Sequence, residues 1–123
     1  MSKHNQIIGK MGEELAVEHL QRANYELVVC NWRFGRAEVD IIAWSPERIL
    51  VFVEVKTRKT AAFGNPEEAV SHKKQQLLYE AATEYMHQQN YEGEIRFDII
   101  SIVLYERLPP HLEHFIDAFF PGW

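Results

Sequence analysis

The sequence predicts an α/β protein in which helices flank one mixed β-sheet. Two segments have the apolar spacing of amphipathic helices. Four others are rich in β-branched and aromatic residues, as strands are. The long helix between the third and fourth strands allows those two strands to pair in parallel. The predicted order is helix, three strands, helix, strand, over residues 5–23, 25–33, 38–44, 49–58, 66–89 and 94–105.

The second and third strands are predicted to form a hairpin. The polar break between them, residues 45–48, contains a proline and has the length of a hairpin connection. With the fold point near Pro46 and Glu47, paired residue numbers add up to 93 or 94, so Asp40 lies beside Glu54 to within one residue. Residues two apart in a strand share a face, so Glu54 and Lys56 point the same way.

This hairpin carries charged residues where an apolar core is expected. Opposed carboxylates lie about 5 Å apart and repel each other by roughly 3 kcal/mol at an effective dielectric of about 20. Lys56 offsets part of this repulsion, and a divalent cation such as Mg²⁺ would offset more. The alternative is a structural ion pair of Glu54 with Lys56, and an Asp40 that accepts from backbone donors. The apolar runs around these charges favour a functional site, because burying ionised groups is costly.

An Asp followed by a strand that ends in Glu-x-Lys resembles the signature of the PD-(D/E)XK nuclease superfamily, which includes many restriction endonucleases and the archaeal Holliday junction resolvases. Nearly the whole chain also resembles the YraN family of small predicted endonucleases. Val39 and Ala37 depart from the usual residues, which are Pro in the superfamily and Gly in the family. The matching pieces are Gly9, Gly12-Glu13, Asn31, Arg33, 38–40, 51–58, Lys73 and 96–98.

The resemblance implies a restriction-endonuclease-like core and metal-assisted hydrolysis of phosphodiesters. Asp40, Glu54 and the carbonyl of Val55 would hold Mg²⁺, with Mn²⁺ as a substitute. Lys56 would orient or help to deprotonate a water and would stabilise negative charge. Glu38, on the face of Asp40, would either bind metal or order Arg33.

The first helix offers a further carboxylate. Glu13 lies at the flank of the apolar face, and its place matches a helix acid that joins the metal shell in resolvase-like members of the superfamily. A solvated acid is the alternative. Gly9 and Gly12 weaken the helix by up to about 1 kcal/mol each, which suggests close approach of the sheet or a ligand.

Basic residues gather around the hairpin although the net charge is −5. That net charge argues against a protein that coats nucleic acid by electrostatics alone, but a local basic rim is compatible with it. On the second helix, Lys73 falls within the predicted inner face and Lys74 points away. The expected partner is nucleic acid, above all DNA, including branched or structured DNA. The residues expected to contact it are Arg33, Arg36, Arg58 and Lys73.

The 123 residues are predicted to form one domain, 1–123. No apolar run has the length of a membrane span and the start is unlike a signal peptide, so a cytoplasmic protein without membrane partners is expected. Cys30 is interpreted as a small core residue. His111 and His114 have a helical spacing but lack further ligands, so no metal role is expected for them. Arg96 is expected to pair with Asp98.

Two other functional classes stay open. One is a catalytically idle nucleic-acid-binding module that retains the fold. The other is an interaction protein with a buried polar network, using aromatic residues of a short amphipathic terminal piece over 111–119. These aromatics either cap the core or form a homodimer contact. Metal binding would distinguish the nuclease from both.

Overall fold

The computed structural model describes residues 3–59 and 70–120. Neither helix in these residues has the length and apolarity needed to cross a membrane. The predicted element order is present, followed by one further strand. The elements are α1 Lys3–Arg22, β1 Glu26–Phe34, β2 Ala37–Trp44, β3 Leu50–Arg58, α2 His72–Gln88, β4 Ile95–Val103 and β5 His111–Phe119.

The strands form one mixed sheet in the order β1-β2-β3-β4-β5. Strands β3 and β4 pair in parallel, and the other neighbours pair antiparallel. In the hairpin of β2 and β3, Ile41 pairs with Val53, as the predicted register requires. The Ser45 hydroxyl accepts from the amide of Ile49 at 3.0 Å and closes the turn. The mixed sheet with helical layers confirms the predicted α/β, restriction-endonuclease-like core.

Each face of the sheet buries one apolar cluster. Leu50 and Phe52 belong to the cluster that includes α2, whereas Val51 and Val53 belong to the cluster that includes α1. Because alternate strand residues point to opposite faces, the two helices cover opposite sides of the sheet. Strand β3, in the middle of the sheet, is buried on both sides and fixes the direction of its few polar side chains.

The terminal piece 111–119 is a strand and not a helix. It pairs antiparallel with β4, for example His114 with Ile100. Its irregular register opposite 97–99 breaks the period-two alternation that identifies strands. His111 and His114 therefore do not share a helical face. The expected pair of Arg96 with Asp98 is present, with Nε 2.8 Å from Oδ1.

Two further expectations need correction. Cys30 is exposed, because β1 is an edge strand and only part of it is covered. The second helix begins at His72 after the N-cap Ser71, whose hydroxyl accepts from the amide of Lys74. Its predicted start at Pro66 lies outside the described residues, and residues 70 and 71 are not helical.

Candidate active site

Two carboxylates lie where β2 and β3 separate. The last residue pair between these strands is Ile41 with Val53, so Asp40 and Glu54 come directly after it. Asp40 Oδ2 accepts a hydrogen bond of 2.8 Å from the amide of Val55. Beyond the last residue pair, this side-chain bond links β2 to β3.

Two lysines lie close to the carboxylate of Glu54. Its side chain is 5 % exposed, and its Oε1 lies 3.5 Å from Lys56 Nζ and 3.6 Å from Lys74 Nζ. Lys56 is the strand lysine that was predicted to share a face with Glu54. Lys74 comes from α2, whereas Lys73, the helix lysine that was expected here, is exposed. Lys74 lies four residues, about one helical turn, before buried Leu78. This spacing is the sequence signal that places Lys74 on the inner face of α2.

Helix α1 brings Glu13 to the same place. A Cβ added at Gly12 would overlap the side chain of Thr57, so only glycine allows this approach of α1 to the end of β3. At Gly9 a Cβ would meet no atom within 4 Å, so close approach of the sheet occurs at only one of the two glycines. Glu13 follows Gly12 directly, and the contact therefore sets its position.

Two of the three carboxylates, Asp40 and Glu13, have raised pKa values. Burial, then the charge of Glu54, raises the pKa of Asp40 to about 8, against the lowering effect of the Val55 amide. Burial, then the charges of Glu38 and Glu54, also raises the pKa of Glu13. Among the described residues, the buried side-chain atoms without a hydrogen-bond partner are Glu13 Oε1 and Glu54 Oε2. Leaving such oxygens unsatisfied costs about 1–3 kcal/mol, and a cation would remove that cost.

A cleft of about 330 Å³ joins these groups. Within residues 3–59 and 70–120 no three His, Cys, Asp or Glu side chains form a group that could hold a metal ion. Mg²⁺, however, is usually held by one or two carboxylates together with waters and substrate phosphates. Asp40 and Glu54 fit that requirement. The cleft is lined by Asn5, Ile8, Gly9, Glu13, Asp40, Glu54, Val55, Lys56 and Thr57.

The other predicted site residues do not line this cleft. Arg33 Nε is 2.8 Å from Glu38 Oε2, which agrees with the expectation that Glu38 orders Arg33. Arg36 is exposed at the turn between β1 and β2, and Arg58 is half-buried at the end of β3.

A separate buried network surrounds Asp98. Arg96 donates to both of its carboxylate oxygens, and His114 Nε2 lies 2.7 Å from Oδ2. Burial alone would raise the pKa of Asp98, but the hydrogen bonds from His114 and Arg96 lower it. His19 Nε2 lies 3.1 Å from His114 Nδ1 and so connects α1 to β5. These partners satisfy Asp98 and account for it as a structural group.

Comparison with known proteins agrees with the motifs. Residues 12–102 match the model of the family described as "Uncharacterised protein family UPF0102". UPF0102 proteins of Flavobacterium psychrophilum and Christiangramia forsetii are 49% and 45% identical to the chain, over 98% of both chains in each comparison. A UPF0102 protein of Geobacter sulfurreducens is 40% identical over 96% of this chain and 92% of the relative. The resemblance to the YraN family is thereby confirmed, and the chain belongs to the uncharacterised protein family UPF0102.

Proposed function

We propose that the protein is a metal-dependent nuclease that hydrolyses phosphodiester bonds of nucleic acid, with DNA as the expected substrate. The observation that carries this proposal is the convergence of Asp40, Glu54 and Glu13 in one cleft with unsatisfied carboxylate oxygens. The ion pair of Glu54 with Lys56 accounts for Oε1 of Glu54 but leaves its Oε2 without a partner. Like charges held together in this way are typical of sites that bind a cation.

The residues that would hold Mg²⁺ or Mn²⁺ are Asp40, Glu54 and the carbonyl of Val55, with Glu13 at the flank. When bound, such an ion polarises a phosphodiester and lowers the pKa of a coordinated water. Asp40 also orients the strand end, because it accepts from the Val55 amide. This bond couples the position of the Asp40 carboxylate to the strand that carries Glu54 and the Val55 carbonyl.

Lys56 and Lys74 supply the positive charge at the other side of Glu54. Lys56 lies on a rigid strand and is suited to hold the attacking water and to stabilise charge that develops on the phosphate. Lys74 lies in the first turn of α2 and is suited to hold a phosphate oxygen in the cleft. Outside the cleft, Arg33, Arg36 and Arg58 remain candidates for contacts with the rest of the nucleic acid.

A cleavage panel tests the proposal. Single-stranded, duplex and branched DNA and RNA are incubated with Mg²⁺, Mn²⁺ or EDTA. We expect cleavage of at least one substrate with metal, none with EDTA, and a loss of at least about 10²-fold for Asp40→Asn and Glu54→Gln. Glu80→Gln is the matched control, because Glu80 is an exposed acid on α2, and it should cleave like the wild type.

Metal binding is measured on the same proteins. Mn²⁺ relaxation should show binding by the wild type and none by the combined Asp40→Asn, Glu54→Gln variant. Cleavage that copurifies with both single variants would assign the activity to a contaminant. Nucleic-acid binding without metal binding or cleavage would identify an idle binding module and overturn the proposal.

A further inference from the structure

A second cavity adjoins the catalytic cleft. Its volume is about 440 Å³, and Ile8 of α1 lines both cavities. Because Ile8 borders both, the two cavities are neighbours on the surface of α1. The second cavity is lined by Ile8, Met11, Lys59, Leu104, Tyr105 and Glu106.

The parallel pairing of β3 and β4 explains where this cavity lies. The amide of Leu104 donates to the carbonyl of Arg58 at 2.7 Å, so the chain leaves both strands at the same edge of the sheet. Lys59 and Tyr105 follow directly. At about 3.3 Å per residue, Lys59 lies ~10 Å along the chain from Lys56. Neighbouring nucleotides of one strand can therefore occupy the two cavities.

The lining of the second cavity suits a base better than a phosphate. Tyr105 is 41% exposed and Met11 is 47% exposed, so an aromatic and a thioether face solvent beside the cleft. The Glu106 carboxylate would repel a phosphate, but it can accept from an exocyclic amino group of a base. Lys59, at the end of β3, supplies a positive charge for the adjoining phosphate. An apolar wall with an exposed aromatic ring is the usual platform for stacking an unpaired base.

We propose that this cavity, the stacking cavity, holds an unpaired base next to the scissile phosphate, with Tyr105 as its stacking partner. The inference rests on the proposed nuclease function and narrows its substrate to single-stranded or locally unpaired nucleic acid. Bases in a continuous duplex are stacked and paired, so they do not enter the cavity without unstacking.

Binding is tested without cleavage, in Ca²⁺, with a 2-aminopurine-labelled single strand and with the duplex of the same sequence. The wild type should bind the single strand more tightly and should quench the 2-aminopurine at one position. Tyr105→Leu should weaken single-strand binding by roughly 5- to 150-fold and remove the quenching, whereas Tyr105→Phe keeps both. Phe120→Leu is the control, because Phe120 is a similarly exposed aromatic, 45%, at the opposite end of β4.

Cleavage in Mg²⁺ gives an independent readout. An abasic site at the quenched position should slow cleavage by the wild type as much as Tyr105→Leu does, and should slow that variant no further. If the losses of cleavage rate caused by the abasic site and by Tyr105→Leu add together, Tyr105 does not stack on that base. Tighter binding of duplex than of single strand, or a Tyr105→Leu variant that changes only the oligomeric mass in light scattering, would also overturn it.

The two proposals fail in different ways. If the wild type quenches 2-aminopurine through Tyr105 but cleaves no substrate with Mg²⁺ or Mn²⁺, the stacking cavity binds nucleic acid and the nuclease proposal is wrong. If cleavage requires Asp40 and is equal on single strand and duplex, with no effect of Tyr105→Leu, the nuclease proposal stands and the stacking cavity is wrong.

Discussion

At the scale of single residues, the two lysines at Glu54 differ in what holds them. Lys56 is 30% exposed and extends from β3 at a point where this strand still pairs with β4, opposite Ser101, so its direction is fixed. Lys74 is 36% exposed and extends from the first turn of a helix. The strand lysine is therefore suited to chemistry and the helix lysine to holding the substrate.

Replacing Lys56 by Met keeps much of its apolar stem and removes the charge. Because a catalytic lysine acts mainly in the transition state, turnover in Mg²⁺ should fall by roughly 10²-fold or more, while substrate binding in Ca²⁺ changes little. Cleavage and binding are measured on one oligonucleotide. Cleavage near the wild-type rate would remove Lys56 from the mechanism.

The Lys74→Met variant tests the lysine that the sequence pattern missed. It should weaken binding in Ca²⁺ and reduce the dependence of binding on salt by about one phosphate contact. Lys73→Met, the exposed neighbour, is the matched control and should change neither quantity appreciably. The reverse result would restore the original assignment of Lys73.

The residues of the site differed in how well the sequence could predict them. Asp40, Glu54 and Lys56 were placed correctly, because the period of two and one hairpin register determine where strand residues point. Lys74 was not, because the inner face of α2 was drawn through Leu77, whereas the structure buries Leu78 fully and Leu77 only in part. Lys74 lies one turn before Leu78, as Lys73 does before Leu77.

At the scale of whole elements, the packing of α1 against the end of β3 requires a residue without a side chain at position 12. Gly12→Ala should destabilise the protein by about 1–3 kcal/mol, because the new methyl overlaps Thr57 and pushes α1, with Glu13, away from the sheet. Gly9→Ala should instead stabilise α1 by up to about 1 kcal/mol, since there is open space at that position.

Urea denaturation of both variants measures these effects, and Mn²⁺ binding reports the position of Glu13. Combining Gly12→Ala with Thr57→Ala should restore part of the lost stability. Equal stabilisation by both glycine replacements would show that α1 does not press on Thr57.

Strand β5 was not predicted, and its residues explain why. The first half alternates, with Leu112 and His114 more buried than His111 and Glu113. At Asp117 the backbone has a positive φ of 56°, and its amide donates to the buried Asp98 carboxylate. This tertiary contact interrupts the alternation, so the strand depends on a partner that lies 19 residues away in the sequence.

At the scale of the molecule, the buried carboxylates link stability to pH. The pKa of Asp40 is raised to about 8, so the folded protein keeps a proton there that the unfolded chain releases near pH 4. At this group the unfolded state thus binds fewer protons between these values, so the contribution of Asp40 to stability falls as the pH rises from about 4 to 8. The fall is at most about 1.4 kcal/mol per pH unit for one proton.

Urea denaturation in EDTA at pH 5, 6, 7 and 8 measures this fall. Asp40→Asn should remain an acceptor for the Val55 amide and should flatten the curve, so that the variant is at least as stable as the wild type at pH 8. If the stability of the wild type and of Asp40→Asn changes equally with pH, Asp40 is not the cause of the fall. A loss of more than about 2 kcal/mol at pH 8 would show that the Asp40 charge stabilises the fold, as in a satisfied buried pair.

The parallel pairing of β3 with β4 also has a consequence during protein synthesis. The strand that carries Glu54 and Lys56 lacks its second neighbour until residue 103 has left the ribosome, and this pairing joins segments more than 40 residues apart. Pairings of that range form slowly, because a long loop must be closed first. A nascent chain with residues 13, 40, 54 and 74 already outside the ribosome would therefore still lack this pairing, and the proposed hydrolytic activity would arise only late in folding.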